Sequence, residues 1–404
     1  MRSLKHLLLS LAVTGGAVAD DAVDLTLTDR YGGLKALKTE ATGWFRVEKF
    51  GERWLFVTPE GHGYFALGAN HVGKYLDEQA GAMGLLTRFN GSREQAAEFL
   101  INEMRAMGLN SGEAYAPIAP EIQAAMPWVA NIAFPGKSKF AFDPFDPAFQ
   151  ESLYESTRDH CLAVAENPLV LGIAFADLPV WDQRRIQFFE NLPETAPGAV
   201  EIRSFREAGK SDDEFLGHVA DEFYQHLRAA SKAGAPNHLF FGERFRLRGA
   251  PDEVIASVAR HVDVFCTQAL ILSPQRPPEW QIFQEEGFRH EAKLIGDKPM
   301  MVIDWAAPFS LRNPFETIRG RIEEEITASE QAAEWLVQAA TEPYMIGIFK
   351  CQLIGLHGND KWFDGRSRRT YLQDDGTHWQ SRTGLTRQAH LEALRTVYQA
   401  AQNP

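Results

Sequence analysis

The chain has 404 residues, of which 45% are hydrophobic, and a formal net charge of −13. That length fits one barrel of about 250 residues with decorations as well as it fits two ordinary domains. The acidic balance opposes an extended polyanion, so nucleic acid is not an expected partner. The arginine clusters Arg184-Arg185, Arg244-x-Arg246-x-Arg248 and Arg366-x-Arg368-Arg369 read as solvated surface, Arg244 excepted, although each has the chemistry to bind sulfate or carboxylate. Cys161, Cys266 and Cys351 are odd in number, widely spaced and in apolar settings, which predicts buried free thiols. No cofactor is expected.

In chain order, Met1 to His6 is basic, Leu7 to Val18 is apolar or small, and Ala17-Val18-Ala19 has the small-x-small form that signal peptidase accepts. Residues 1–19 are expected to be an export signal cleaved near Ala19, giving a periplasmic or secreted protein. The apolar stretch is far shorter than the roughly 20 residues a membrane span needs, and no later stretch is long enough, so no membrane insertion is expected after cleavage. A polar segment, 20–42, precedes a single domain at 43–404.

Trp44 to Lys49 and Arg53 to Thr58 alternate around Gly51-Glu52, which predicts a β-hairpin at the bottom of a barrel. Tyr64 to His71 is a buried-strand run, and Ser92 to Met107 has helical spacing, making a first βα unit. Further strands are predicted at Leu109–Ala114, Trp128–Phe134, Leu169–Asp177, His238–Gly242, Val262–Gln268, Met300–Asp304 and Met345–Phe349, with helices at 213–232 and about 387–401. Eight strands alternating with helices predict an α/β fold, a (β/α)8 TIM barrel with an N-terminal hairpin and long loops after strands 4 and 8. No Gly-rich phosphate loop follows the first strand, which removes the usual signature of an open doubly wound sheet. The first long segment, 182–212, is a candidate active-site wall or lid; the second, 355–388, holds His357 and Trp362.

Catalytic side chains of such barrels gather at the C-terminal strand ends. Asp177 ends the fourth strand and Asp304 the seventh, supplying two carboxylates, the usual requirement for glycosidic cleavage. Glu243 and Glu113 end the fifth and second strands as reserve carboxylates. Glu243-Arg244 also reads as a structural ion pair. Asn70-His71 is a candidate pair for sugar hydroxyls, and Trp181, Trp305 and Trp362 are candidate stacking surfaces, with core packing the alternative for each indole. A metal-dependent hydrolase, with His71, Glu113, Asp177, Glu243 and Asp304 converging, has no ligand spacing in its favour, and no metal site is assigned.

Gly43-Trp44-Phe45-Arg46-Val47-Glu48, with the run from Trp54 through Gly61-His62-Gly63-Tyr64 to Ala69-Asn70-His71-Val72, resembles the hairpin and first strand of agarase-like barrels. Phe142-Asp143-Pro144-Phe145-Asp146-Pro147 is similar to their turn into the third helix, and Ile348-Phe349-Lys350-Cys351-Gln352 to their eighth strand. The run Asn167 to Trp181 resembles the fourth strand of clan A glycoside hydrolases, Gly-Tyr-x-x-x-Asn-Glu-Pro, with Asp177 in place of the Asn and Leu178 in place of the acid/base Glu. The resemblance covers roughly residues 43 to 355. It implies an exported glycoside hydrolase acting on a polysaccharide or oligosaccharide, with agar-type galactans among the candidate substrates. Asp304 is then the nucleophile or base, Asp177 the acid/base, and Arg244, Lys350, Gln352 and His357 are further contacts to sugar. A catalytically degenerate barrel that binds glycans without cleaving them is the alternative, on account of Leu178.

Overall fold

The computed structural model describes residues 23–76, 83–114, 119–132, 141–177, 179–270, 279–306, 309–310, 318–351, 353–354, 367–368, 371–372, 376–378 and 380–402. The segment predicted as an export signal lies outside them.

The predicted hairpin is present. Strands β2 (Arg46–Phe50) and β3 (Arg53–Val57) pair antiparallel with Phe50 opposite Arg53 around the Gly51-Glu52 turn. They belong to a four-stranded antiparallel sheet with β1 (Leu34–Lys38) and β4 (His62–Tyr64), in the order β1-β4-β3-β2. Part of the expected polar segment, at 34–38, is therefore a strand. The predicted first strand, Tyr64 to His71, divides at Phe65: its start is β4, and Ala66–Ala69 forms β5 in a second sheet.

That second sheet has seven parallel strands, in the order β5, β12 (Met345–Lys350), β10 (Met300–Ala306), β9 (Phe265–Leu270), β8 (Phe240–Arg246), β7 (Val170–Asp177) and β6 (Trp128–Ile132). The predicted second strand is not regular. Ser111 makes only an isolated parallel bridge with Gly68, because the Asn110 side chain stands in for the ladder: its Oδ1 accepts from Leu67 N–H at 2.8 Å and its Nδ2 donates to Phe65 O at 2.9 Å. The segment still spans the two sheet edges. Ser111 N–H donates to Leu67 O at 2.9 Å, and on the other side Gly112 N–H donates to Pro127 O at 2.6 Å and Val129 N–H to Glu113 O at 3.1 Å.

Seven strands contribute to one inner cluster, with Ala66, Val129, Leu171, Phe241, Cys266, Met301 and Ile346 together, so the sheet is curled. Phe45, Phe56 and Tyr64 of the antiparallel sheet belong to the same cluster and plug it. The opposite faces of the strands pack on helices α1 (Met83–Arg88), α2 (Arg93–Ala106), α3 (Pro120–Ala125), α4 (Pro147–Leu162), α5 (Gln183–Glu190), α6 (Pro197–Glu207), α7 (Asp212–Gly234), α8 (Asp252–His261), α9 (Glu279–Ile295), α10 (Ile318–Thr341) and α11 (Gln380–Gln402). Local signals set the ends. Ser92 caps α2 by accepting from Gln95 N–H, and Ser211 and Glu214 form a reciprocal capping box on α7.

Two loop expectations change. Residues 182–212 hold two helices, α5 and α6, each started by local chemistry: the Asp182 carboxylate caps α5 and Pro197 opens α6. The final helix starts at Gln380 instead of 387, while most of 355–379 lies outside the described residues; β11 (Phe309–Ser310) pairs there with β13 (Ser367–Arg368). All three cysteines are buried. No helix among the described residues is long and apolar enough to cross a membrane.

One buried acid makes the fold sensitive to pH. Glu291 on α9 is fully enclosed, accepts from Arg248 N–H at 2.9 Å, and burial pushes its carboxyl up to about 8. An unfolded Glu titrates near 4.3, so between roughly pH 4 and pH 8 the unfolded chain has released a proton that the folded chain retains. Stability is therefore expected to fall as pH rises through that window and to level off above it. Glu291→Gln keeps the acceptor and removes the charge, so its melting temperature should exceed that of the parent at pH 7 to 8 and match it near pH 4. Thermal melts across pH check this; parallel curves for the two proteins would contradict it.

Candidate active site

The C-terminal strand ends carry the candidate residues, and two backbone irregularities decide which way they face. On β8, Phe240 belongs to the helix-covered cluster and Phe241 to the inner one. Gly242 then adopts φ +68°, and the pairing with β7 slips there, from Ile173 opposite Phe240 to Ala174 opposite Gly242. Only glycine takes that conformation without strain, and a bulge of this kind resets the alternation of side chains. Glu243 consequently turns to the helices, where the Tyr224 hydroxyl of α7 donates to its Oε2 at 2.6 Å, while Arg244 turns inward. The adjacent acid and base do not serve as one ion pair; they serve opposite faces.

The second irregularity is at Asp304. It has φ +98°, rare for a side chain other than glycine, and the register skips it on both sides: Ile303 and Trp305 pair with successive residues Phe349 and Lys350 of β12, while Val302 and Trp305 pair with Thr267 and Ala269 of β9. The carboxylate thrust inward by this bulge is gripped by two donors. Arg244 Nη1 reaches Oδ2 at 2.5 Å and Gln268 Nε2 reaches the same oxygen at 2.9 Å, while Oδ1 is buried with no hydrogen-bond partner among the described residues. Arg244 also donates to Ile303 O at 3.3 Å. A buried pair so tied costs about 3–5 kcal/mol to break by removing one partner. Gln268 has no place among the sequence candidates; its only signal is an amide ending the apolar run from Val262.

Asn70 lies on the far side of β12. Its backbone N–H donates to Lys350 O at 2.8 Å, and its Oδ1 accepts from Ala114 N–H at 3.0 Å. His71 follows at φ +59°, half-buried. Glu113 is buried and accepts from Gly73 N–H at 2.8 Å, which makes it a support for the turn after the first parallel strand. Lys350 is buried with its ammonium 4.7 Å from the Trp305 ring and 5.5 Å from the Tyr371 ring. The Asp177 backbone ends β7 opposite Arg244; its side chain, like Leu178, Gln352, His357 and Trp362, lies outside the described residues.

Two of the indoles are in the core. Trp305 is 3% exposed and packs 5.2 Å from Trp335; Trp181 is 2% exposed. Against Trp181 lies Arg185 of α5, read from sequence as one half of a solvated pair. Its guanidinium carbon sits 4.0 Å from the Trp181 ring and 4.4 Å from the Phe142 ring, its Nε donates to Val180 O at 2.9 Å, and it is 1% exposed. Burial lowers its pKa to about 10, opposed first by the negative charge of Glu243. Arg184, next to it, is the exposed member and pairs with Asp182 at 2.6 Å. A Trp-x-x-x-Arg spacing straight after a strand tip was the available signal. Among the described residues, the three side chains arranged as metal ligands are Asp29, Glu60 and His62, away from the strand ends; Thr58, His62 and the N–H groups of Tyr31 and Gly33 already occupy the Asp29 oxygens.

No protein-family model and no curated protein sequence matches the chain. Solved structures do. An agarase, AgWH50C, superposes with a TM-score of 0.71 at 19% identity over 92% of this chain and 66% of that one. An exo-β-agarase gives a TM-score of 0.72 at 16% identity, covering 93% and 69% respectively. The GH2 β-galacturonidase of Eisenbergiella tayi is more distant, with a TM-score of 0.55 at 11% identity over 86% and 53%. The chain thus has the fold of these agarases and spans about two thirds of their length.

Proposed function

We propose that the chain is a glycoside hydrolase acting on a polysaccharide or oligosaccharide, an agar-type galactan being the first substrate to test. The observation that carries this reading is the Asp304 carboxylate: set on a strained bulge at a strand end, anchored through one oxygen by Arg244 and Gln268, with the other oxygen buried and unpartnered among the described residues. Strain of this kind is characteristic of functional sites. The shared fold with agarases supports the substrate class, and the hydrogen bonds linking 110–113 to both sheet edges support closure into a (β/α)8 barrel.

In this mechanism Asp304 Oδ1 is the reacting atom, attacking the anomeric carbon or activating a water against it. The held Oδ2 keeps the carboxylate oriented through the reaction. Asp177 supplies the leaving-group proton. Glu243 is less directly placed for that task, because Tyr224 holds it on the helix side of β8. An aspartate is one methylene shorter than the family's glutamate, and the bulge at Asp304 is a means of restoring its reach. A carboxylate separation of about 5–5.5 Å would give retention and about 6.5–9.5 Å inversion. The chain is proposed to act after export, with the 182–212 helices as a wall of the site.

Reducing-end release from agarose, carrageenan, galactan and xylan by the purified protein tests the proposal. A glycan-binding barrel without hydrolysis is the second reading, favoured by Leu178 in the proton donor's place. Binding without turnover would establish it, and turnover lost in Asp304→Asn would exclude it.

A further inference from the structure

Asn70 and Asp304 are both more than nine-tenths buried, and each keeps one polar atom without a partner among the described residues: a donor, Asn70 Nδ2, and an acceptor, Asp304 Oδ1. Leaving such atoms unmatched in a buried place is costly, so they mark a place where a ligand completes the bonding. Their positions are related. Strands β5, β12 and β10 are consecutive in the sheet, with Ala69 opposite Lys350 and Lys350 opposite Trp305, so Asn70 and Asp304 stand at nearly one level on either side of β12. Two strand spacings separate them, about 10 Å, the scale of one pyranose ring with a hydrogen bond on each side. Between them, one step lower on β12, Phe349 presents an apolar surface; its ring packs so closely on Gly68 that a Cβ there would lie 2.4 Å from it.

We infer that Asn70 is a specificity-determining residue whose Nδ2 donates to an acceptor oxygen of the same sugar residue that faces Asp304. The inference rests on the glycan reading and deepens it by giving the amide a direction. Ala114 N–H fixes Oδ1 as the acceptor end, so the amide cannot turn over without abandoning that bond. The backbone bond to Lys350 O holds the residue to the strand that separates it from Asp304. Asn70 therefore reads acceptors only. A sugar hydroxyl accepts from it while a neighbouring hydroxyl donates to Asp304 Oδ1, so the pair selects a neutral ring bearing oxygens on both sides.

The test uses the full chain and the isosteric Asn70→Asp. That variant preserves the Ala114 bond and replaces the donor by an acceptor. Mobility retardation in gels containing soluble agarose, with KM and kcat on the same polymer, should show binding weakened 10- to 100-fold, mostly in KM. Asn70→Ala, which adds no charge, should weaken binding similarly and serves if Asn70→Asp does not fold. Circular dichroism confirms folding in each. Unchanged retardation and KM in folded variants of a binding parent would overturn the inference and leave the glycan reading standing. A parent protein that neither binds nor cleaves any polysaccharide tested would overturn both.

Discussion

Asp304→Asn is expected to reduce polysaccharide hydrolysis by about a thousandfold or more while the protein remains folded. The amide oxygen of the variant can still accept from Arg244 and Gln268, which now hold Oδ2 at 2.5 and 2.9 Å, so the bulge keeps its partners. What disappears is the charge that would attack or activate water. The loss should fall on kcat, because the group acts in the transition state more than in binding. Steady-state kinetics beside a thermal melt separates the two effects. Near-parental kcat in a folded Asp304→Asn protein would remove Asp304 from the mechanism; the same assay on Asp177→Asn, expected to be equally impaired, asks whether the second carboxylate is the one at the fourth strand.

Arg185→Ala should be the costliest single substitution outside the strands, by about 3–5 kcal/mol of unfolding free energy. It removes a buried positive charge that interacts with the negative charge of Glu243, and it opens a gap between the Trp181 and Phe142 rings, which lie 4.0 and 4.4 Å from the guanidinium. Arg185→Lys keeps a charge but not the planar stack, so it should recover only part of the loss. Urea unfolding measures both. A loss under 1 kcal/mol for Arg185→Ala would show that α5 docks without the arginine. A loss for Glu243→Gln that is equally large with Arg185 and without it would show that the two are not coupled.

The parts of the fold legible from sequence were those written as apolar runs. Val170 to Asp177, Met300 to Asp304 and Met345 to Phe349 announce buried parallel strands because both faces are covered. Asp304 and Arg244 were legible as polar residues at the ends of such runs. Their pairing was not, since it depends on Gly242 and Asp304 itself breaking the two-residue alternation, and nothing in the composition of a strand states where a bulge will fall. The irregular second strand was hidden for a related reason: Asn110 replaces a backbone ladder with side-chain bonds, an arrangement decided by its neighbours at Phe65 and Leu67. Arg185 was misplaced because adjacent arginines share a composition and not an environment. One faces water beside Asp182, and the next is enclosed by rings.

The plug at the base of the curled sheet has a consequence for how the chain acquires its structure. Arg53 donates to Ala340 O at 2.9 Å and to Met345 O at 3.4 Å, partners 287 and 292 positions away, and Phe65 N–H meets the Tyr398 hydroxyl across 333 positions. Contacts between such distant parts of the sequence close late, after the intervening helices have formed, so assembly should be slow and rate-limited by nonlocal pairing. A chain stopped short of Tyr398 would hold most of the helices and strands yet lack the bond that ties the start of the parallel sheet to the last helix.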